Sequence, residues 1–168
     1  MAHAGGAWQT AGNTMIECAP RGICSWNYRL QGDGHWAEIM LAGFGEQGGL
    51  VADGTACEVR KGGWLSGEWT LLEGGQPVVQ AHKPSAFWRH FDLSGPAGPG
   101  VLESNPVGSR SMRLDGAGVS CRIKPVHLFT RRATIEGSFE DFRVVAFAFW
   151  LTALMWRRAT NTNQGGAT

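Results

Sequence analysis

The sequence predicts a mainly β fold: about twelve antiparallel strands closed into a barrel around one C-terminal hydrophobic helix, at about 140–158. Three observations carry this expectation. Segments starting at Lys61, Lys83, Asn105 and Lys124 line up, with starts 22, 22 and 19 residues apart. Glycine is abundant, 25 residues, and clusters in turn-forming stretches such as "LEGGQP", "LDGAG" and "LSGPAGPG". Finally, "VVAFAFWLTALMW", Val144 to Trp156, is apolar on every side and carries no formal charge.

The repeat reads as strand, connection, strand, turn. In "GVSCRIK", Val119, Cys121 and Ile123 share one face while Ser120, Arg122 and Lys124 share the other, the period of a half-buried strand. Pro84, Pro106 and Pro125 fall where a strand should stop, because proline donates no ladder hydrogen bond. Strands are expected near 26–31, 35–42, 49–53, 56–61, 67–72, 77–82, 87–93, 100–104, 110–114, 118–124 and 131–137, with a twelfth candidate over 14–18. So many strands rarely stay in an open sheet, and closure removes the exposed edges. A repeat of about twenty residues also fits a solenoid, but adjacent strands separated by regular turns favour the meander.

The apolar stretch completes the argument. A helix without a polar stripe is buried in protein or in lipid. Thirteen residues rise only about 20 Å, short of the ~30 Å hydrocarbon core. A barrel of eleven or so strands has room for such a helix. Ser138 and Asp141 supply a helix-start pattern, Glu140 suits the first turn, and Arg157 and Arg158 suit the negative helix end. The expected organisation is a loosely packed segment over 1–22, one barrel domain over 23–158 and a disordered tail over 159–168.

Repeated hairpins followed by one apolar helix, here "FEDFRVVAFAFWLTALMWRRA", resemble the tubby C-terminal-like superfamily, above all its short LURP-one-related and phospholipid scramblase-like members. The resemblance covers roughly residues 25–158. It implies a twelve-stranded antiparallel barrel about the helix. It also implies a binding domain rather than an enzyme, because tubby domains hold phosphoinositides through basic residues and scramblase-like members work at membranes. The acidic calcium-binding loop of scramblases has no counterpart in this sequence.

Charge and motifs narrow the functional classes. A net charge of +1 points away from a nucleic-acid partner. It conceals 5 basic and 8 acidic residues in 1–84 against 10 and 6 in 85–168. The densest basic group is Arg122, Lys124, Arg131 and Arg132, which strand pairing would bring together, with Lys83 and Arg89 extending it from the preceding repeat. These six are the candidate site for an anionic head group, because guanidinium and ammonium groups pair with phosphate. Trp64 and Trp88, near loop tips, are expected to pack in the core or the barrel wall, with an interfacial anchor as the alternative. "GFGEQG" at 43–48 is followed by further strand and reads as a hairpin turn, not a dinucleotide loop.

None of the histidines has metal-ligand spacing, and Ser66, Ser85 and Ser111 lack a nucleophile elbow, so no catalytic residue, metal or cofactor is expected. His82 and His127 flank corresponding connections and carry the alternative reading, an enzyme or small-ligand binder with a barrel-mouth pocket. A further alternative anchors the chain in a membrane through 144–156. No CxxC pair exists; Cys57 and Cys121 fall in the buried phase of their strands, while Cys18 and Cys24 are close enough in sequence to pair. With no secretory pattern at the N-terminus, the expected location is the cytoplasm, at the periphery of a membrane if the resemblance holds.

Overall fold

A computed structural model describes residues 13–63, 65–127 and 130–165. Twelve strands precede one helix. They are β1 (Thr14–Pro20), β2 (Tyr28–Gly32), β3 (His35–Leu41), β4 (Gly48–Ala52), β5 (Thr55–Lys61) and β6 (Glu68–Glu73), then β7 (Gln76–His82), β8 (His90–Gly95), β9 (Gly98–Ser104), β10 (Met112–Gly116), β11 (Val119–Pro125) and β12 (Ala133–Phe139). The helix α1 spans Phe142–Gln164. Each strand pairs antiparallel with its chain neighbours, and β1 pairs with β12 to close the ring.

Alternation builds the wall. Tyr28 and Leu30, Phe91 and Leu93, Val119, Cys121 and Ile123 point inward and are buried. Arg29, Asp92, Ser120 and Arg122 point outward. An apolar interior and a charged exterior are the reverse of a barrel that faces lipid through its strands.

Strand reversal sorts the connections to two ends. At one end lie two-residue turns at 33–34, 53–54, 74–75, 96–97 and 117–118. Asp33–Gly34 has φ of 46° and 80°, and Asp53–Gly54 has 48° and 86°, the geometry whose twist suits a tight hairpin. At the other end lie the long loops 21–27, 42–47, 62–67, 83–89, 105–111 and 126–132. "GFGEQG" belongs to the second of these loops, between β3 and β4.

The helix enters at the turn end. Asp141 caps it, its carboxylate accepting from the Arg143 amide at 2.9 Å. Arg143 in turn pairs with Asp141 and with Glu73 on β6. From Val144 to Trp156 every residue is buried inside the ring. Polar groups in this stretch are satisfied: the Trp150 indole donates to the Met40 carbonyl at 2.9 Å, and the Thr152 hydroxyl donates to the Ala148 carbonyl at 2.8 Å.

Two expectations need correction. Within the segment 1–22, expected to be loosely packed, the candidate strand over 14–18 is present as β1, Thr14–Pro20, because Ile16 and Cys18 fill the interior and the strand bridges β12 and β2; residues 1–12 lie outside the described residues. The helix does not end at 158 but continues through Gln164, so the expected tail from 159 is largely helical. Consequently Ser138 lies in β12, Glu140 precedes the cap, and Arg157 and Arg158 lie well before the helix end.

Candidate functional site

The long-loop end is where α1 leaves the barrel, and its two halves differ. One half is closed. Glu46, in the β3–β4 loop, accepts from Lys61 at 2.6 Å and from Arg158 on α1 at 2.5 Å. Its backbone carbonyl accepts from the Trp69 indole at 3.2 Å. Arg158 and Lys61 both lie against the Trp69 ring, 5.5 and 5.6 Å from its centre. Arg157 donates to the carbonyls of Ala42 and Gly45. The two arginines therefore lock the emerging helix to the loop through side-chain contacts rather than by completing the helix dipole.

Burial alone would raise the Glu46 pKa, but hydrogen bonds from Lys61 and Arg158 outweigh it and hold the carboxyl below its ordinary 4.5. Asp141, at the opposite end, is likewise held below 3.8: its burial is outweighed by its bonds to Arg143. Depressed folded-state values mean that both groups stabilise the fold above their ordinary pKa, and that this contribution is lost as pH falls through the depressed values. Thermal denaturation should therefore give a level Tm from pH 7 down to about 5 and a falling Tm below about 4.5. Glu46→Gln should lower Tm at pH 7 and shrink that acid-dependent fall.

The other half of the mouth is open. A cavity of about 560 Å³ is lined by Trp26, Arg89, Arg110, Arg131, Trp156 and Thr160, with contributions from the β1–β2 loop and the helix end. Among the described residues its lining contains no carboxylate. The three arginines occupy equivalent places: each lies two residues before the first inward-facing residue of its strand, Phe91, Met112 or Ala133. They recur 21 residues apart in chain order.

Each is held in place. Arg131 stacks on Trp26 at 5.2 Å and donates to the carbonyls of Gly22 at 2.8 Å, Ile23 at 2.7 Å and Ser25. Arg89 reaches the next loop, donating to the Ser109 carbonyl at 2.8 Å. Arg110 lies over Trp156 at 5.1 Å, and the Trp156 indole donates to the Arg110 carbonyl at 3.0 Å. Close by, the Tyr28 hydroxyl is buried with no hydrogen-bond partner among the described residues. Burial pushes its pKa up to about 12 against the opposing field of Arg131 and Arg110.

Of the six residues nominated from the sequence, Arg89 and Arg131 line this cavity. The other four do not. Arg122 and Lys124 lie on the outer wall, opposite Glu136 and Thr134 in register, and Lys124 pairs with Glu136 at 2.6 Å. Arg132, the last residue of the same loop, is exposed and does not line the cavity. Lys83 is buried and donates to the Ser85 carbonyl in its own loop; burial, then Arg158, lowers its pKa. The expected four-residue cluster is thus split, and only Arg131 of the four lines the cavity. Arg110 went unnominated, although its 21-residue spacing from Arg89 and Arg131 was readable.

His82 and His127 both lie at the long-loop end, as their repeat positions imply. His82 sits outside the barrel with its Nδ1 3.9 Å from Glu68, beside a groove of about 300 Å³ lined by Glu68, Gln80, Asp92 and Ser94. Cys18 and Cys24 are not bonded: Cys18 is buried and Cys24 exposed. Cys57 and Cys121 are buried, and burial pushes the Cys121 thiol up to about 12. Trp64 lies outside the described residues. Among the described residues no group of His, Cys, Asp and Glu is arranged to hold a metal, and no helix is long and apolar enough to cross a membrane. No family model, curated protein or solved structure matches the chain.

Proposed function

We propose that the chain is a non-enzymatic binding domain of the tubby-like kind, taking an anionic, phosphate-bearing group into the open half of its loop-end mouth. The supporting observation is the convergence of Arg89, Arg110 and Arg131 on one cavity that has no lining carboxylate among the described residues. Guanidinium groups match the geometry of phosphate oxygens and keep their charge at any physiological pH. Stacking on Trp26 and Trp156 holds two of them in place, so little side-chain entropy remains to be lost on binding. Anionic lipid head groups, phosphoinositides among them, and soluble phosphate esters share this chemistry.

Calorimetric titration with inositol 1,4,5-trisphosphate and with pyrophosphate tests it. Arg89→Ala should weaken binding at least tenfold, whereas Arg122→Ala, on the outer wall, should leave it unchanged. Arg131 is a poor choice for this experiment, since its loss would also release the β1–β2 loop. Absence of heat with the unmodified protein, or equal affinity in Arg89→Ala, would refute the reading.

A further inference from the structure

The two ends of the barrel differ in a second respect. Every one of the six long loops presents a large apolar side chain to solvent. Phe44 is 99% exposed, Ile23 and Phe87 94%, Leu65 88% and Val107 76%, with Val126 at 48%. Trp88 stands beside Phe87 at 61%. None of the five tight turns at the other end carries a large apolar residue. Among the described residues the remaining exposed apolar side chains are Met15, Trp36 and Met40, each about half covered and on a strand; Met15 and Trp36 stand beside the turns at the other end, their amides donating to Asp33 and Asp53.

Charge follows the same axis. The six loops carry Arg21, Lys83, Arg89, Arg110, Arg131 and Arg132 against one carboxylate, Glu46, which pairs with Lys61 and Arg158; Arg21 pairs with Glu38 and Lys83 is buried, so the loop cations that count toward a surface are Arg89, Arg110, Arg131 and Arg132. The five turns and the 140–141 connection carry Asp33, Asp53, Glu140 and Asp141 and no lysine or arginine; Asp141 pairs with Arg143 in the first turn of the helix, which leaves Asp33, Asp53 and Glu140 as the acidic residues of this end. The net charge of +1 therefore conceals a barrel polarised from end to end.

We infer that the long-loop end is a docking face for an anionic bilayer, into whose interface the ring of apolar loop tips inserts. Phenylalanine, isoleucine or leucine stands almost fully exposed on four of the six loops and valine on the other two, where they pack against nothing in the fold's interior, and encircling apolar exposure marks an interaction surface. The arrangement selects the partner. A protein hot spot is a central, closely packed cluster, whereas these tips stand apart around a mouth. A fluid lipid surface accommodates separated tips without a matching shape. Cations among them complement anionic head groups, each contributing on the order of 1 kcal/mol near the surface. Apolar insertion and electrostatic attraction add in interfacial binding. The acidic turn end would be repelled, which orients the barrel with its axis toward the membrane and its arginine cavity facing head groups. This inference deepens the phosphate-binding reading by naming the surface that presents the ligand.

Flotation of the full chain with vesicles tests it, comparing phosphatidylcholine with phosphatidylcholine containing phosphatidylserine. The protein should float with the anionic vesicles and not with the neutral ones, and binding should weaken as salt rises from 0.1 to 1 M, where the screening length falls from ~10 to ~3 Å. Phe44→Ser with Phe87→Ser should reduce partitioning at least tenfold, and both sites are so exposed that the fold is not at stake. Cys24 lies in the rim and is exposed while the other three cysteines are buried, so an environment-sensitive fluorophore attached there should be quenched by spin-labelled lipid. The same label at Gln76→Cys, at the turn end in a Cys24→Ser background, should not be quenched. Equal flotation of the double variant, or quenching at 76 but not 24, would overturn the inference. Inositol trisphosphate titration separates the two readings: the rim variant keeps soluble binding if only docking depends on the tips, while Arg89→Ala loses it and still docks.

Discussion

Trp150→Ala should lower the unfolding free energy by about 3–5 kcal/mol, the usual cost of emptying a large aromatic site in a core. Trp150 is fully buried at the middle of the enclosed helix. Its indole donates to the Met40 carbonyl on β3, reaching it past Gly48, where an added Cβ would come within 3.1 Å of the indole nitrogen. The alanine variant loses the aromatic volume and leaves the Met40 carbonyl without this donor. Against a typical net stability of about 5–15 kcal/mol, that is a large fraction. Urea denaturation checks it: the midpoint should fall with little change in slope. Trp150→Phe keeps most of the volume and should cost less. Removing 142–165 altogether should leave no folded barrel, since strands alone would enclose an apolar void. A folded, soluble barrel after that deletion would contradict the role assigned to the helix.

Gly137→Ala should be the most damaging single-methyl change in the wall. Gly137 sits in β12 with φ of 147°, a conformation that costs a residue with a side chain about 1–3 kcal/mol. A Cβ there would lie 2.6 Å from Cys121 Cα and would run into the Ser120 carbonyl oxygen, both backbone atoms of the neighbouring strand. Neither can yield without disturbing the β11–β12 ladder. In a domain of this size each kcal/mol lowers Tm by about 2–4 °C, so a fall of several degrees or more is expected by calorimetry. Gly43→Ala is the internal comparison. It has no positive φ and nothing within 4 Å of an added Cβ, and should leave Tm unchanged or slightly higher.

Much of the wall was readable because strand pattern is local. "GVSCRIK" shows its two faces within seven residues, and β11 has those faces. The helix was readable because an uncharged, stripe-free run of thirteen residues can only be buried. The ends of elements were harder. Residues 159–164 are polar and look like a tail, yet they extend a helix already nucleated inside the barrel, where propagation adds one hydrogen bond per residue. β1 was readable as a candidate strand over 14–18, but its place in the ring was not. Its seven residues gain their stability from being held between β12 and β2, partners more than a hundred residues apart in the chain.

The candidate site shows the same division. Arg131 and Arg132 are neighbours in sequence, so they were grouped with Arg122 and Lys124. In the structure Arg131 lines the cavity and exposed Arg132 does not, while Arg122 and Lys124 lie on the outer face of β11. Arg89, Arg110 and Arg131 are far apart in sequence, and only ring closure brings them to one cavity. The amino-acid order by itself determined the strand pattern, the turns and the buried helix, because alternation and hydrophobicity act over a few residues. The repeat phase marked which connections share an end, as with the 21-residue spacing of Arg89, Arg110 and Arg131, but only the tertiary structure decided which of those side chains converge on one cavity and which loop tips stand exposed. Antiparallel reversal sends every second connection to the same side, and no local pattern records what gathers there.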